Sequence, residues 1–309
     1  MKKDQPYVDK DNNTSRGVPM VRRKMMTYFQ FSLIALIFVV VFAAIYFISK
    51  AIDGKNKIDY NSAELIQYEL PADDTKVAVF ETNLGTFKAV LYEDQAPEYC
   101  KYFEGLAESG YYDGTHVFAV QDGVYFMGGS KTSDGTDDSD TDKTEKSPEK
   151  SKDLWPFYGA LAAYGNQKSA FNTQIQAGSR VLFIGSIEFD KDTCEQLDSA
   201  SDNTKLNDAF KTKGGVPNFS QQYTIFAQVY DGLEAYEDVL RAQVITPSDS
   251  SGSDKDADLR PKQDITFEKV YISTYGENKN DGFFTLNENA DTAQTADSAL
   301  DNSADSAEK

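Results

Sequence analysis

From Tyr28 to Ser49 the chain reads YFQFSLIALIFVVVFAAIYFIS without a charge, and beyond it apolar residues recur on much shorter periods. At ~1.5 Å per helical residue such a run crosses a hydrocarbon layer of ~30 Å, which predicts a membrane-spanning helix. Tyr28 and Phe29 at one end and Tyr46 and Phe47 at the other suit the two headgroup interfaces. Arg22-Arg23-Lys24 just ahead of the run places the N-terminus inside, although Lys50, Lys55 and Lys57 on the far side act against that bias. A cleaved signal peptide is the alternative. Ser49-Lys50-Ala51 offers a small-residue site, but the apolar run exceeds the ~7–15 residues of a signal core.

After the run the pattern turns to β. Lys76–Glu81 and Thr86–Leu91 are β-rich segments joined by Thr82-Asn83-Leu84-Gly85, which predicts a hairpin. Pro97 opens a helix that ends near Ser109 at Gly110, and Tyr99, Cys100, Phe103 and Leu106 share its apolar face. Strands are expected at His116–Val120 and Val124–Met127, and a second helix at Leu233–Ala242. Short strands punctuated by turns, with two helices, predict a small antiparallel barrel.

The polar stretches divide the rest. Residues 1–27 read as a cytoplasmic tail, and 50–75 as a juxtamembrane linker in which Ser62–Ile66 forms a short helix. The folded domain is expected over 76–275. Its segment 130–153 holds no large apolar side chain before Leu154, so it is expected to stay disordered, as is the acidic tail 276–309. Within that segment Asp138, Asp140, Asp142 and Glu149 fall at calcium-loop spacing. Lys143 stands where the loop needs glycine and Pro148 precedes the glutamate, which favours a solvated charge run.

Composition removes whole classes of partner. With 31 Lys+Arg against 50 Asp+Glu, a net charge of −19, the chain is ill suited to a nucleic acid, whose binding rests on neutralising phosphates. Cys100 and Cys194 are the two cysteines, too few for a disulfide framework, and a pairing between them stays open. His116 is the single histidine and lacks a ligand cluster, so no metal site and no cofactor are expected.

The segment Tyr112-Asp113-Gly114-Thr115-His116-Val117-Phe118-Ala119-Val120, followed by Gly123-Val124-Tyr125-Phe126-Met127-Gly128-Gly129, resembles the strand–turn–strand core of the cyclophilin-type peptidyl-prolyl isomerases. Gly159–Tyr164, Ala177–Ile184, Asn218–Val229 and Arg260–Val270 resemble further segments of that family, in the same order, with an insertion from about Glu188 to Val216. The resemblance implies a mainly β fold: a closed eight-stranded antiparallel barrel capped by two helices, here preceded by the transmembrane helix.

It also implies a reaction, rotation about an Xaa-Pro bond against ~18–20 kcal/mol of amide resonance. That reaction needs no cofactor, only an apolar grip on the proline and a donor that stabilises the twisted amide. By resemblance the groove comprises Phe118, Ala119, Val124, Met127, Tyr164, Gly165, Leu182, Phe219 and Tyr223. Ala119 stands where the family carries its catalytic arginine, and Met127 where it carries a glutamine. Arg180, two residues before Leu182 on a strand, is expected on the same face and is the candidate replacement donor. The expected function is a membrane-anchored, extracytoplasmic isomerase of reduced activity that assists the folding of proline-containing or unfolded polypeptides. The alternative is a non-catalytic proline-peptide-binding chaperone or scaffold.

Overall fold

A computed structural model of the chain describes residues 62–136, 146–169, 172–245 and 259–284. The Tyr28–Ser49 run lies outside them. Among the described residues no helix is long and apolar enough to cross a membrane.

Eight antiparallel strands form a closed barrel: β1 (Lys76–Thr82), β2 (Gly85–Leu91), β3 (Thr115–Gln121), β4 (Tyr125–Ser130), β5 (Ala160–Ser169), β6 (Asn172–Ile184), β7 (Thr224–Asp231) and β8 (Thr266–Thr274). Around the barrel they run β1-β2-β7-β5-β6-β4-β3-β8. The β1–β2 hairpin turns at Asn83-Leu84, with Thr82 facing Gly85 and the Thr82 hydroxyl donating to the Gly85 carbonyl. The barrel is filled with aromatic rings. Phe80 stacks on Phe87 at 4.9 Å, Phe126 on Phe183 at 4.4 Å, and Phe267 meets both Phe80 and Phe183. A Cβ on Gly128 would stand 2.6 Å from the Phe267 ring, so the Gly-Gly of β4 is the space into which that ring fits.

Helix α1 (Pro97–Glu108) contributes Tyr99, Cys100, Phe103 and Ala107 to this interior, and a later helix, Leu233–Leu240, contributes Tyr236, Val239 and Leu240. These are the two helices the sequence predicts. Two more arise inside the insertion, α2 (Lys191–Ala200) and α3 (Thr204–Lys213), so the count of two is too low and Leu233–Leu240 is α4. Their starts were legible. The Asp190 carboxylate accepts from the Thr193 amide and the Asn203 side-chain oxygen from the Leu206 amide, both N-caps, while Leu206, Ala209 and Phe210 fall on one helical face. That face packs on Trp155, Phe157, Ala63 and Tyr68.

The folded unit is also longer at both ends than 76–275. Upstream, Gln67 is fully buried in a 3-10 turn, Ile66–Tyr68, which takes the place of the helix expected over 62–66. Its amide donates to the Trp155 carbonyl and to the Gln228 side-chain oxygen, both at 2.9 Å, and its own oxygen accepts from the Trp155 amide at 2.7 Å. Downstream, Phe284 is buried against Val77, Val79, Val90, Tyr230 and Tyr275. The tail read as acidic from residue 276 carries two phenylalanines, Phe283 and Phe284, that pack on this surface.

The segment 130–153 is likewise tied down at its described ends. Lys146 bridges to Ala177. The Glu149 carboxylate accepts from the backbone amides of Glu98 (3.0 Å) and Tyr99 (2.8 Å), where Ala96 gives α1 no side-chain cap. A carboxylate at a helix N-terminus meets both the free N–H groups and the positive end of the helix dipole. Glu149 is thereby committed to α1, and Asp138, Asp140 and Asp142 lie outside the described residues. Among those residues no group of three metal-ligating side chains occurs. Cys100 and Cys194 are both free thiols, which closes the disulfide alternative.

Candidate functional site

Strand register decides which side chains meet outside the barrel. Val117 and Val120 both point into the interior cluster, although strict alternation would send them to opposite faces. The register between β3 and β4 shifts from Val117 opposite Gly128 to Ala119 opposite Met127, so Phe118 is a bulge residue and Phe118 and Ala119 both leave the interior. From Ala119 a row of paired residues crosses five strands: Ala119 with Met127, Met127 with Leu182, Leu182 with Ala162, and Ala162 with Ile225. Its members on β5, β6 and β7 are buried in one cluster outside the barrel. Val124, Tyr125, Met127, Tyr164, Phe219 and Tyr223 pack half-buried around it.

Six of the expected groove residues, Val124, Met127, Tyr164, Leu182, Phe219 and Tyr223, therefore converge on one patch. Ala119 joins through its pairing with Met127, and Phe118 flanks it. Gly165 serves differently: a Cβ there would stand 1.7 Å from the Gln176 carbonyl, so its role is the close approach of β5 to β6. Sequence reasoning missed Tyr125, Ala162 and Ile225. Tyr125 carried a signal, since it stands two residues before Met127 on the same strand. A separate hollow of about 430 Å³, lined by Ile66, Leu70, Tyr92 and neighbouring carboxylates, includes none of the row.

Arg180 behaves otherwise than simple alternation suggests. Between Gly165 opposite Ala177 and Ala163 opposite Val181, β6 spends four residues where β5 spends two, so alternation does not carry from Leu182 back to Arg180. The guanidinium lies over the Phe118 ring, 4.8 Å from its centroid, and its Nη2 donates to the Gly135 carbonyl at 2.8 Å. It thus reaches the residue next to Ala119 from the side, holding the 130–136 turn against β3. His116 is a strand residue whose Nδ1 sits 2.7 Å from the Asp264 carboxylate.

The patch is uncharged. Burial, and after it the neighbouring Tyr164, raises the hydroxyl pKa of Tyr125; burial followed by Tyr164 and Tyr125 does the same for Tyr223. Both remain neutral donors above the ordinary tyrosine range. An apolar floor rimmed by neutral hydroxyls suits a ligand that brings an apolar ring and carbonyl oxygens.

The fold is an eight-stranded closed barrel with a half-buried apolar patch across β3–β4–β6–β5–β7. The model of the family described as cyclophilin type peptidyl-prolyl cis-trans isomerase/CLD matches residues 77–272. The chain belongs to that family. A Staphylococcus aureus (strain COL) protein named "Putative peptidyl-prolyl cis-trans isomerase" is 28% identical over 204 residues, 66% of this chain and 94% of that protein. A Staphylococcus epidermidis protein of the same name is 27% identical over 176 residues, 57% of this chain and 86% of its own length. Among solved structures, a Cryptosporidium parvum cyclophilin type peptidyl-prolyl cis-trans isomerase in the presence of the dipeptide Ala-Pro matches with a TM-score of 0.45 and 21% identity, over 64% of this chain and 99% of that one.

Proposed function

We propose that the domain is a peptidyl-prolyl cis-trans isomerase of reduced rate that acts on proline-containing segments of polypeptides folding outside the cytoplasm. The row Ala119–Met127–Leu182–Ala162–Ile225 carries this reading, since it offers a prolyl ring an apolar seat at the family's position. The reduced rate follows from Ala119. A methyl group cannot donate to the nitrogen of a twisting amide, and loss of one preorganised donor costs ~10²–10³ in rate. Arg180 is the candidate donor because its guanidinium rests on Phe118, the neighbour of Ala119. To serve, it would exchange the Gly135 carbonyl for the substrate.

Location is part of the same proposal. The uncharged run Tyr28–Ser49 is read as a single-pass anchor, with residues 1–27 inside and the barrel outside, where slow Xaa-Pro steps limit the folding of exported chains. Ala119 and Met127 together favour a second reading, a groove that holds proline segments without turning them over.

The deciding experiment is a cis–trans assay with the full-length chain in detergent micelles, on wild type and Ala119→Arg. Slow turnover in wild type that rises with the arginine supports a weakened isomerase. Peptide binding without turnover in wild type supports the holding module. Neither binding nor turnover, in protein of unaltered circular dichroism, refutes both.

A further inference from the structure

The patch carries three tyrosine hydroxyls that the fold does not use. Tyr125 on β4, Tyr164 at the offset in β5, and Tyr223 just ahead of β7 all pack against the cluster holding Leu182, Ala162 and Ile225. Phe219 joins two of them, with its ring centroid 6.0 Å from that of Tyr125 and 5.5 Å from that of Tyr223. Several other tyrosine hydroxyls are occupied within the fold. Tyr99 donates to the Gly178 carbonyl, Tyr112 to Ser179, Tyr158 to the Glu237 carboxylate, Tyr230 to Asn278 and Tyr236 to Ile184. Among the described residues the hydroxyls of Tyr125, Tyr164 and Tyr223 enter no hydrogen bond, and none of the three is a sealed, unsatisfied oxygen. They are open to a ligand.

The chemistry of an Xaa-Pro segment fits that opening. Proline has no N–H, so around the bond the peptide displays carbonyl acceptors and an apolar ring. A site that grips it by hydrogen bonds must supply donors, and this patch lacks the arginine and glutamine of its family. We propose that Tyr125, Tyr164 and Tyr223 are the polar grip of the groove, donating to the peptide carbonyls on either side of a prolyl ring seated on Met127 and Leu182. The inference rests on the proline-peptide reading above and adds which atoms recognise the peptide. The three tyrosines position the peptide backbone and take no part in the amide rotation itself. A tyrosine ring that buries its body and leaves its hydroxyl wet is suited to this use.

The test replaces the three tyrosines by phenylalanine, singly and together, in the full-length chain. Affinity for the peptide Ala-Ala-Pro-Phe is read by calorimetry, and the unfolding midpoint by circular dichroism. Because the hydroxyls bond to nothing in the protein, the midpoint should not fall, while the dissociation constant should rise about two- to tenfold per hydroxyl. KM should rise more than kcat falls. Wild-type affinity in the triple variant overturns the inference and leaves the proline-peptide reading standing. A lowered midpoint overturns it by giving the hydroxyls a structural task. A folded wild type that binds no proline peptide removes the reading and the inference with it.

Discussion

The guanidinium of Arg180 stands over the ring of Phe118, 4.8 Å from its centroid, and ties the turn at Gly135 to the bulge in β3. Two roles meet in this contact, a clamp on the turn and a donor beside Ala119, and kinetics separate them. Arg180→Ala is expected to lower kcat/KM by roughly tenfold or more, as for a lost donor, with a smaller effect in Arg180→Lys. Unchanged turnover with a lower unfolding midpoint would leave only the clamp.

The carboxylate of Glu149 caps α1 across 50 residues of sequence, on the Glu98 and Tyr99 amides. Glu149→Ala should destabilise the domain by ~1 kcal/mol, the cost of a lost N-cap. Denaturant unfolding measures it, and the midpoint should move without a change of slope.

Gln67 is buried and satisfied by Trp155 and Gln228. Gln67→Leu strands the Trp155 amide and the Gln228 oxygen, and each unsatisfied buried group costs ~1–3 kcal/mol. A chain begun at Lys76, where the pattern places the domain boundary, should unfold at lower denaturant than one begun at Ser62. Equal midpoints would show that the upstream strap is dispensable.

Burial pushes the Cys100 thiol up to about 12, with Glu104 adding to the effect. Its ordinary value is lower, so this contribution to stability is complete below pH ~8.5 and is lost as the pH climbs toward 12. The buried hydroxyls of Tyr99 and Tyr236, raised chiefly by burial, act with the same sign at the alkaline end. Stability measured against pH should therefore fall from about pH 9 upward. A thiol reagent at neutral pH should label Cys194, which is partly exposed, and reach Cys100 only on unfolding.

The amino-acid sequence by itself determined a small antiparallel barrel, because period-2 strands, the Asn83-Leu84 turn and the Pro97 helix start are local signals read one element at a time, and the resemblance in motif order supplied its closure by eight strands. It also determined which residues stand at the groove positions, Ala119 for arginine among them. Tertiary structure alone decided three things. Bulges at Phe118 and between Ala177 and Val181 set which face those side chains take, and a shift of one residue reverses a strand face, so Arg180 comes to rest on Phe118 by a route that alternation does not give. Remote partners such as Glu149 for α1 and Trp155 for Gln67 fix where the domain begins and which polar segments pack. That Tyr125, Tyr164 and Tyr223 pack on one cluster with hydroxyls that enter no hydrogen bond among the described residues is a fact of three-dimensional placement that no spacing along the chain encodes.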